Sequence, residues 1–264
     1  MKIAAPICAL LFLFAYSVRA EDAESKNERD PWNGFGIGSW VIQVKSFTKG
    51  TETTTQREKQ TRTEAEKAGQ IQLSVREEGK TSGVFDGKES IRWHIPGYDP
   101  ALDPKSKLLE TKKEELTIQG KKYACEVKKY DLSRGEDKTI VSYWRCTDVN
   151  VPYREEGLEP LTLALRSDVL RLDADYTGKE QSEKTSFRVV NLREEHKIGK
   201  QTIICTREEG TFEVSKDGKK GKATGFMLRS HNVPGREVES SAEGEFGGIK
   251  YKKEMRIEDF EVVK

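Results

Sequence analysis

After residue 34, apolar side chains recur at every second position along most of the chain. Trp40, Ile42 and Val44 alternate with Val41, Gln43 and Lys45, and the rhythm returns in Ile71/Leu73/Val75 and in Ile91/Trp93/Ile95. A period of two marks a strand with one dry and one wet face, because successive side chains point to opposite sides of a sheet. Thr51 to Thr63, rich in threonine with Lys, Arg and Glu, predicts an exposed strand pair, and Asp86-Gly87 predicts a tight turn. The alternation continues through Tyr123/Cys125/Val127, Ile140/Ser142/Trp144/Cys146, Phe187/Val189, Ile203/Cys205 and Tyr251/Lys253/Met255/Ile257. One segment fits two patterns. Leu158, Leu161, Leu165, Val169 and Leu172 have helical spacing, whereas Leu161, Leu163 and Leu165 suit a strand. The expected fold class is all-β and mainly antiparallel, a half-barrel or sandwich of curved sheets with few or short helices.

Pro96, Pro100 and Pro104 fall close together with Gly97 and Tyr98, which predicts a loop from Pro96 to Lys107 and an internal boundary there. Beyond it the sequence repeats itself. Asn150-Val151-Pro152-Tyr153-Arg154-Glu155 returns as Asn232-Val233-Pro234-Gly235-Arg236-Glu237, and Ile118-Gln119-Gly120 followed by Cys125 is echoed by Ile198-Gly199 followed by Cys205. Trp144 precedes the first corner at the same distance as Phe226 precedes the second. The unit reads as turn, cysteine strand, turn, aromatic strand and Val-Pro corner, where a proline that cannot donate to a ladder ends or edges a strand. The resulting organisation is 1–20 leader, 21–33 flexible lead-in, 34–107 antiparallel β region, 108–192 first repeat copy and 193–264 second copy. Gly34-Phe35-Gly36-Ile37-Gly38 is expected to continue the flexible lead-in.

Gly38-Ser39-Trp40-Val41, the glycine-then-cysteine strand and the aromatic strand running into Val-Pro together resemble a loosely defined group of exported, uncharacterised bacterial proteins, particularly of planctomycete-like lineages. That group is similar to the half-barrel sheets of LolA/LolB-type lipoprotein carriers. The resemblance implies a curved envelope domain and a lipid-carrier role, and carries no catalytic residues.

The first twenty residues look like a secretory signal peptide: Lys2 supplies the positive start, Ile3 to Tyr16 the apolar run, and Val18-Arg19-Ala20 the small-residue cleavage site. The expected address is therefore periplasmic or extracellular, with no transmembrane anchor after processing, since nothing downstream approaches the roughly 18 apolar residues a span requires. Cleavage removes two positive charges from a chain of net charge +1, and charged residues of both signs, 34% of the sequence, are interspersed. Such a balance sets up no bulk field for nucleic acid.

Three cysteines remain after the leader. Cys125 and Cys146, on consecutive predicted strands and of inward parity, form the best disulfide candidate; another pairing with Cys205, or buried free thiols, are the alternatives. His94, His196 and His231 stand in no metal-ligand spacing, so no metal or cofactor is expected. No nucleophile elbow, phosphate loop or dinucleotide fingerprint appears. The Arg-Glu-Glu-Gly runs at Arg76, Arg154 and Arg207 read as charged strand ends.

With no catalytic constellation, the leading expectation is a non-enzymatic protein that binds an amphiphile, a glycan or another envelope protein through Trp93, Trp144, Arg154, Phe226 and Arg236. A structural or assembly module acting through edge strands is the alternative. A hydrolase would need His94 to converge with Tyr98, Asp99 and Asp103.

Overall fold

The computed structural model of the protein describes residues 32, 34–63, 71–94, 105–133, 135, 138–146, 164–174, 180–216 and 218–263. The described residues contain no helix. Their strands are β1 (Trp40–Lys49), β2 (Glu52–Arg62), β3 (Ile71–Glu77), β4 (Glu89–His94), β5 (Lys107–Ile118), β6 (Lys121–Asp131), β7 (Lys138–Cys146), β8 (Ala164–Ala174), β9 (Glu180–Ile198), β10 (Gln201–Lys216), β11 (Lys219–Arg229), β12 (Glu237–Phe246) and β13 (Ile249–Glu261). All thirteen join one antiparallel sheet in the order β4-β3-β2-β1-β13-β12-β11-β10-β9-β8-β7-β6-β5.

That order forces curvature. β4 and β5 follow one another in the chain yet form the two opposite edges of the sheet. The chain from His94 to Lys107 spans at most about 45 Å when fully extended. Thirteen flat strands would be roughly 58 Å across at about 4.8 Å per step. The sheet must twist and bend to bring its edges within reach, as open sheets beyond about ten strands do. The long strand β9 accordingly approaches β5 on one side and β13 on the other, besides its ladder partners β8 and β10. Glycine permits close approach of neighbouring strands: a Cβ at Gly225 would lie 2.3 Å from the Ser241 carbonyl oxygen, and one at Gly244 2.4 Å from that of Lys222.

Four clusters of buried residues result. The largest joins Trp32, Val41, the β3 residues Ile71, Leu73 and Val75, and Met255, Ile257 and Phe260 of β13. A second unites Ile118, Tyr123, Cys125, Val127 and Trp144 with Val189 and Leu192 of β9. Phe212, Val214, Ala223, Phe246 and Tyr251 form the third, and Tyr130, Leu132 and Val141 the fourth.

Several sequence expectations change here. The inward residues of β1 are Val41 and Gln43, not Trp40, Ile42 and Val44. The polar interior this creates is satisfied by a buried carboxylate: Glu58 is 1% exposed, ion-paired with Lys45 and bonded by Gln60, which in turn donates to Gln43. Burial pushes the Glu58 carboxyl up, yet Lys45, Gln60 and Arg92 together hold it below the ordinary glutamate range. Thr51 to Thr63 is one strand, β2, between β1 and β3, rather than a strand pair. Ile91, on the edge strand β4, is exposed. Trp32 and Phe35, read as flexible lead-in, are 2% and 6% exposed, and the Arg62 guanidinium donates to both of their carbonyls. The ambiguous leucine segment is strand from Ala164 onward, and residues 158–163 lie outside the described residues.

Units β5–β7 and β9–β11 share the order strand, tight turn, cysteine strand, aromatic strand. Their first turns take left-handed backbone at Gln119-Gly120 and at Gly199. The corner at 150–155 lies outside the described residues. Its counterpart turns through Arg236, at φ 59°, with the Arg236 amide donating to the Val233 carbonyl.

Candidate functional site

Residues directly opposite one another in an antiparallel ladder share a face of the sheet. Following the register from β7 gives one transverse row: Trp144 opposite Arg166, Arg166 opposite Arg188, Arg188 opposite Glu209, Glu209 opposite Phe226, and Phe226 opposite Ser241. Around this row lies an open basin of about 720 Å³. Its floor and walls come from β8 (Arg166), β9 (Ser186, Arg188), β10 (Arg207, Glu209, Thr211), β11 (Thr224, Phe226), β12 (Ser241, Glu243) and β13 (Lys252), with Gly210 and Gly225 between them.

Two of the arginines are fixed by aromatic rings. The Arg166 guanidinium lies 4.4 Å from the centre of the Trp144 ring, and that of Arg207 4.1 Å from the Phe226 ring. Each contact contributes about 0.5–2 kcal/mol and, more usefully, holds the planar fork in one orientation. Carboxylates complete the positioning. Arg166 donates Nη2 to Asp168 at 2.7 Å, and Asp168 also accepts from the Ser186 hydroxyl at 2.6 Å. Arg207 donates to Glu194 at 3.3 Å and lies 3.6 Å from Glu209. Trp144 is itself pinned by its indole N–H, which donates to Glu114 at 2.5 Å.

Arg188 differs from its two neighbours. It is exposed, stands directly opposite Arg166, and makes no ion pair or side-chain hydrogen bond among the described residues. Like charges directly opposite in a ladder are destabilising. The basin is thus lined by four cations, Arg166, Arg188, Arg207 and Lys252, against Glu209 and Glu243, and among the described residues Arg188 alone of the four is without an ion pair.

The sequence-predicted site residues are dispersed rather than gathered. Phe226 lines the basin, and Trp144 borders it beneath Arg166. Arg236 lies in the turn between β11 and β12 and does not line it. Trp93 is placed on β4 opposite Gln72 by its backbone, and Arg154 lies outside the described residues. His94 sits at the end of β4 opposite Ile71, while Tyr98, Asp99 and Asp103 are not among the described residues. Arg207 is no mere charged strand end, since it stacks on Phe226. The arginines of the row were hidden by their separation in the chain, and only the strand register assembles them.

The two buried thiols, Cys125 and Cys205, are poor nucleophiles. Burial pushes the Cys125 thiol up to about 11 and that of Cys205 to about 12, so both are protonated at neutral pH. Among the described residues, no three His, Cys, Asp or Glu side chains converge as a metal site would require.

No protein-family model matches the chain, and no curated protein does. Two solved structures match it over most of its length. One is a protein described as exported, with a YmcC-like fold, from Bacteroides fragilis NCTC 9343, at 7% identity and a TM-score of 0.32, covering 86% of this chain and 97% of that one. The other is a protein described as a lipoprotein from Parabacteroides distasonis ATCC 8503, at 9% identity and a TM-score of 0.38, covering 86% and 96%.

Proposed function

We propose that this is an exported, non-enzymatic binding protein whose basin takes an anionic glycan. Arg188, opposite Arg166 and without an ion pair among the described residues, carries the proposal. A guanidinium pair facing the same open volume is matched to a carboxylate or sulfate, which bridges the two cations and relieves their repulsion. The remaining lining suits a sugar: the hydroxyls of Thr211, Thr224 and Ser241 offer donors and acceptors to ring hydroxyls, and Ser186, Glu209 and Glu243 offer acceptors.

The other readings meet less support. A lipid carrier, as the half-barrel resemblance implies, calls for an apolar groove, whereas Phe226 is the one large apolar side chain lining this basin. Assembly through an edge calls for a strand that invites pairing, whereas β5 carries Lys107, Glu110, Lys112, Lys113, Glu114 and Glu115, the charged pattern that discourages it.

The test is calorimetric titration of the protein with an acidic oligosaccharide and with its neutral counterpart of the same length. Binding of the acidic form alone, weakening steeply as salt is raised, is the expected result. Equal affinity for both, or for neither, would remove the proposal.

A further inference from the structure

Cys125 and Cys146 stand directly opposite one another on β6 and β7; Cys125 belongs to the second buried cluster and Cys146 packs against it. Opposed residues in an antiparallel ladder have Cα atoms about 4.5 or 5.5 Å apart, according to whether the pair exchanges hydrogen bonds. Both separations fall within the roughly 4.4–6.8 Å that a disulfide bridges, so the register satisfies the main geometric condition in either case. Cys205 is 0% exposed, lies on β10 and packs in a different cluster, which removes it as a partner.

We infer that Cys125 and Cys146 are a disulfide-forming pair that closes by exchange with a small-molecule disulfide, with Cys146 as the entering sulfur. The inference is independent of what the basin binds. Exposure sets the order of events: Cys125 is 2% exposed, whereas Cys146 is only half-buried. The Cys146 thiolate attacks one sulfur of the reagent, forming a mixed disulfide and releasing the first reagent thiolate. The Cys125 thiolate then attacks the Cys146 sulfur, which forms the protein disulfide, breaks the mixed one and releases the second thiolate. Two protein thiols are oxidised, one small disulfide is reduced to two thiols, and the two protein protons end on the released thiolates. Burial keeps the Cys125 thiol protonated, so the second step is the slower one.

The bond has a structural consequence. The next pair along the same face is Val127 opposite Trp144, so the bridge ties β6 to β7 beside the ring that carries Arg166. By the chain-entropy estimate, a loop of this size stabilises the fold by roughly 3 kcal/mol.

The full chain carrying Cys8→Ser provides the test. It is reduced, desalted, incubated while folded with glutathione disulfide, quenched in acid, alkylated under denaturing conditions and mapped by mass spectrometry. The expected product links Cys125 to Cys146 and leaves only Cys205 alkylated. With Cys125→Ser added, the reaction should stop at a glutathione adduct on Cys146; with Cys146→Ser, Cys125 should stay unmodified. The same reaction in urea should lose its selectivity, which ties the pairing to the fold. Full alkylation of all three thiols, a lasting glutathione adduct on Cys146 in the three-cysteine chain, or a link through Cys205 would overturn the inference.

Discussion

Along the transverse row through Arg188, the pair contributed by β6 and β7 is dry, and the residues contributed by β10, β12 and β13 are wet. Val127 and Trp144 are buried there, 3% and 7% exposed, at one end of the transverse row. At the other end the same face presents Glu209, Ser241 and Glu254, and the buried residues Phe212, Ala223 and Tyr251 occupy the reverse. Along this row burial gives way to exposure between β7 and β10, where register shifts occur between Trp144 and Arg145, between Cys205 and Arg207, and between Arg207 and Glu208. Bulges bend and retwist a sheet locally and re-aim side chains. Here they lie beside Arg166 and Arg207, so the change from burial to exposure and the arginine row belong to one region.

Truncating the two aromatic platforms is the strongest way to probe that contrast. Trp144→Ala removes a buried ring from the dry end and should cost about 3–5 kcal/mol in urea unfolding. Phe226, only partly buried against its cluster, should cost about half as much or less as Phe226→Ala. Equal losses would mean that the two ends do not differ in the way described.

Acid should act on the wet-faced half first. His231, at the corner after β11, is depressed to about 4 by burial, with Arg236 and Arg229 adding to the effect. The unfolded imidazole takes its proton near 6.5. Between those values the unfolded chain binds the extra proton, so the stabilisation is complete above about pH 6.5 and is lost as pH falls towards 4, by on the order of 2–3 kcal/mol. Hydrogen exchange at pH 7 and pH 4.5 checks this: protection in β11 and β12 should fall before that in β6 and β7. Unchanged protection in β11 and β12 would contradict the assignment.

The close approach of β11 to β12 is next. Gly225→Ala places a methyl against the Ser241 carbonyl and should destabilise by about 1–3 kcal/mol, whereas Gly135→Ala, where no atom lies within 4 Å but φ is 62°, should cost about 1 kcal/mol. A milder effect at Gly225 than at Gly135 would argue against a tight approach of β11 to β12.

These contrasts also explain what the amino-acid order reveals. Ile71/Leu73/Val75 and Tyr123/Cys125/Val127 announce both strand and dry face, because one side of each is wholly apolar. In β1 the alternation identifies the strand but points to the wrong side, since Lys45 pairs with the buried Glu58 and Gln43 accepts from Gln60. Trp32 was obscured by its charged surroundings at Glu21 to Pro31. The basin could not be read at all: Arg166, Arg188 and Arg207 meet only through the pairing of β8, β9 and β10, and no local pattern encodes a ladder register.

Arg188 gives the smallest effect on stability and the largest on binding. Because Arg188 makes no ion pair or side-chain hydrogen bond among the described residues, Arg188→Gln should leave the unfolding midpoint unchanged within about 0.5 kcal/mol, or raise it by easing the repulsion with Arg166. Titration of this variant with the acidic oligosaccharide is the most direct measurement of the central claim. A dissociation constant weakened at least about tenfold, equivalent to about 1.4 kcal/mol, with stability intact, is the predicted result. Wild-type affinity in the variant would contradict it.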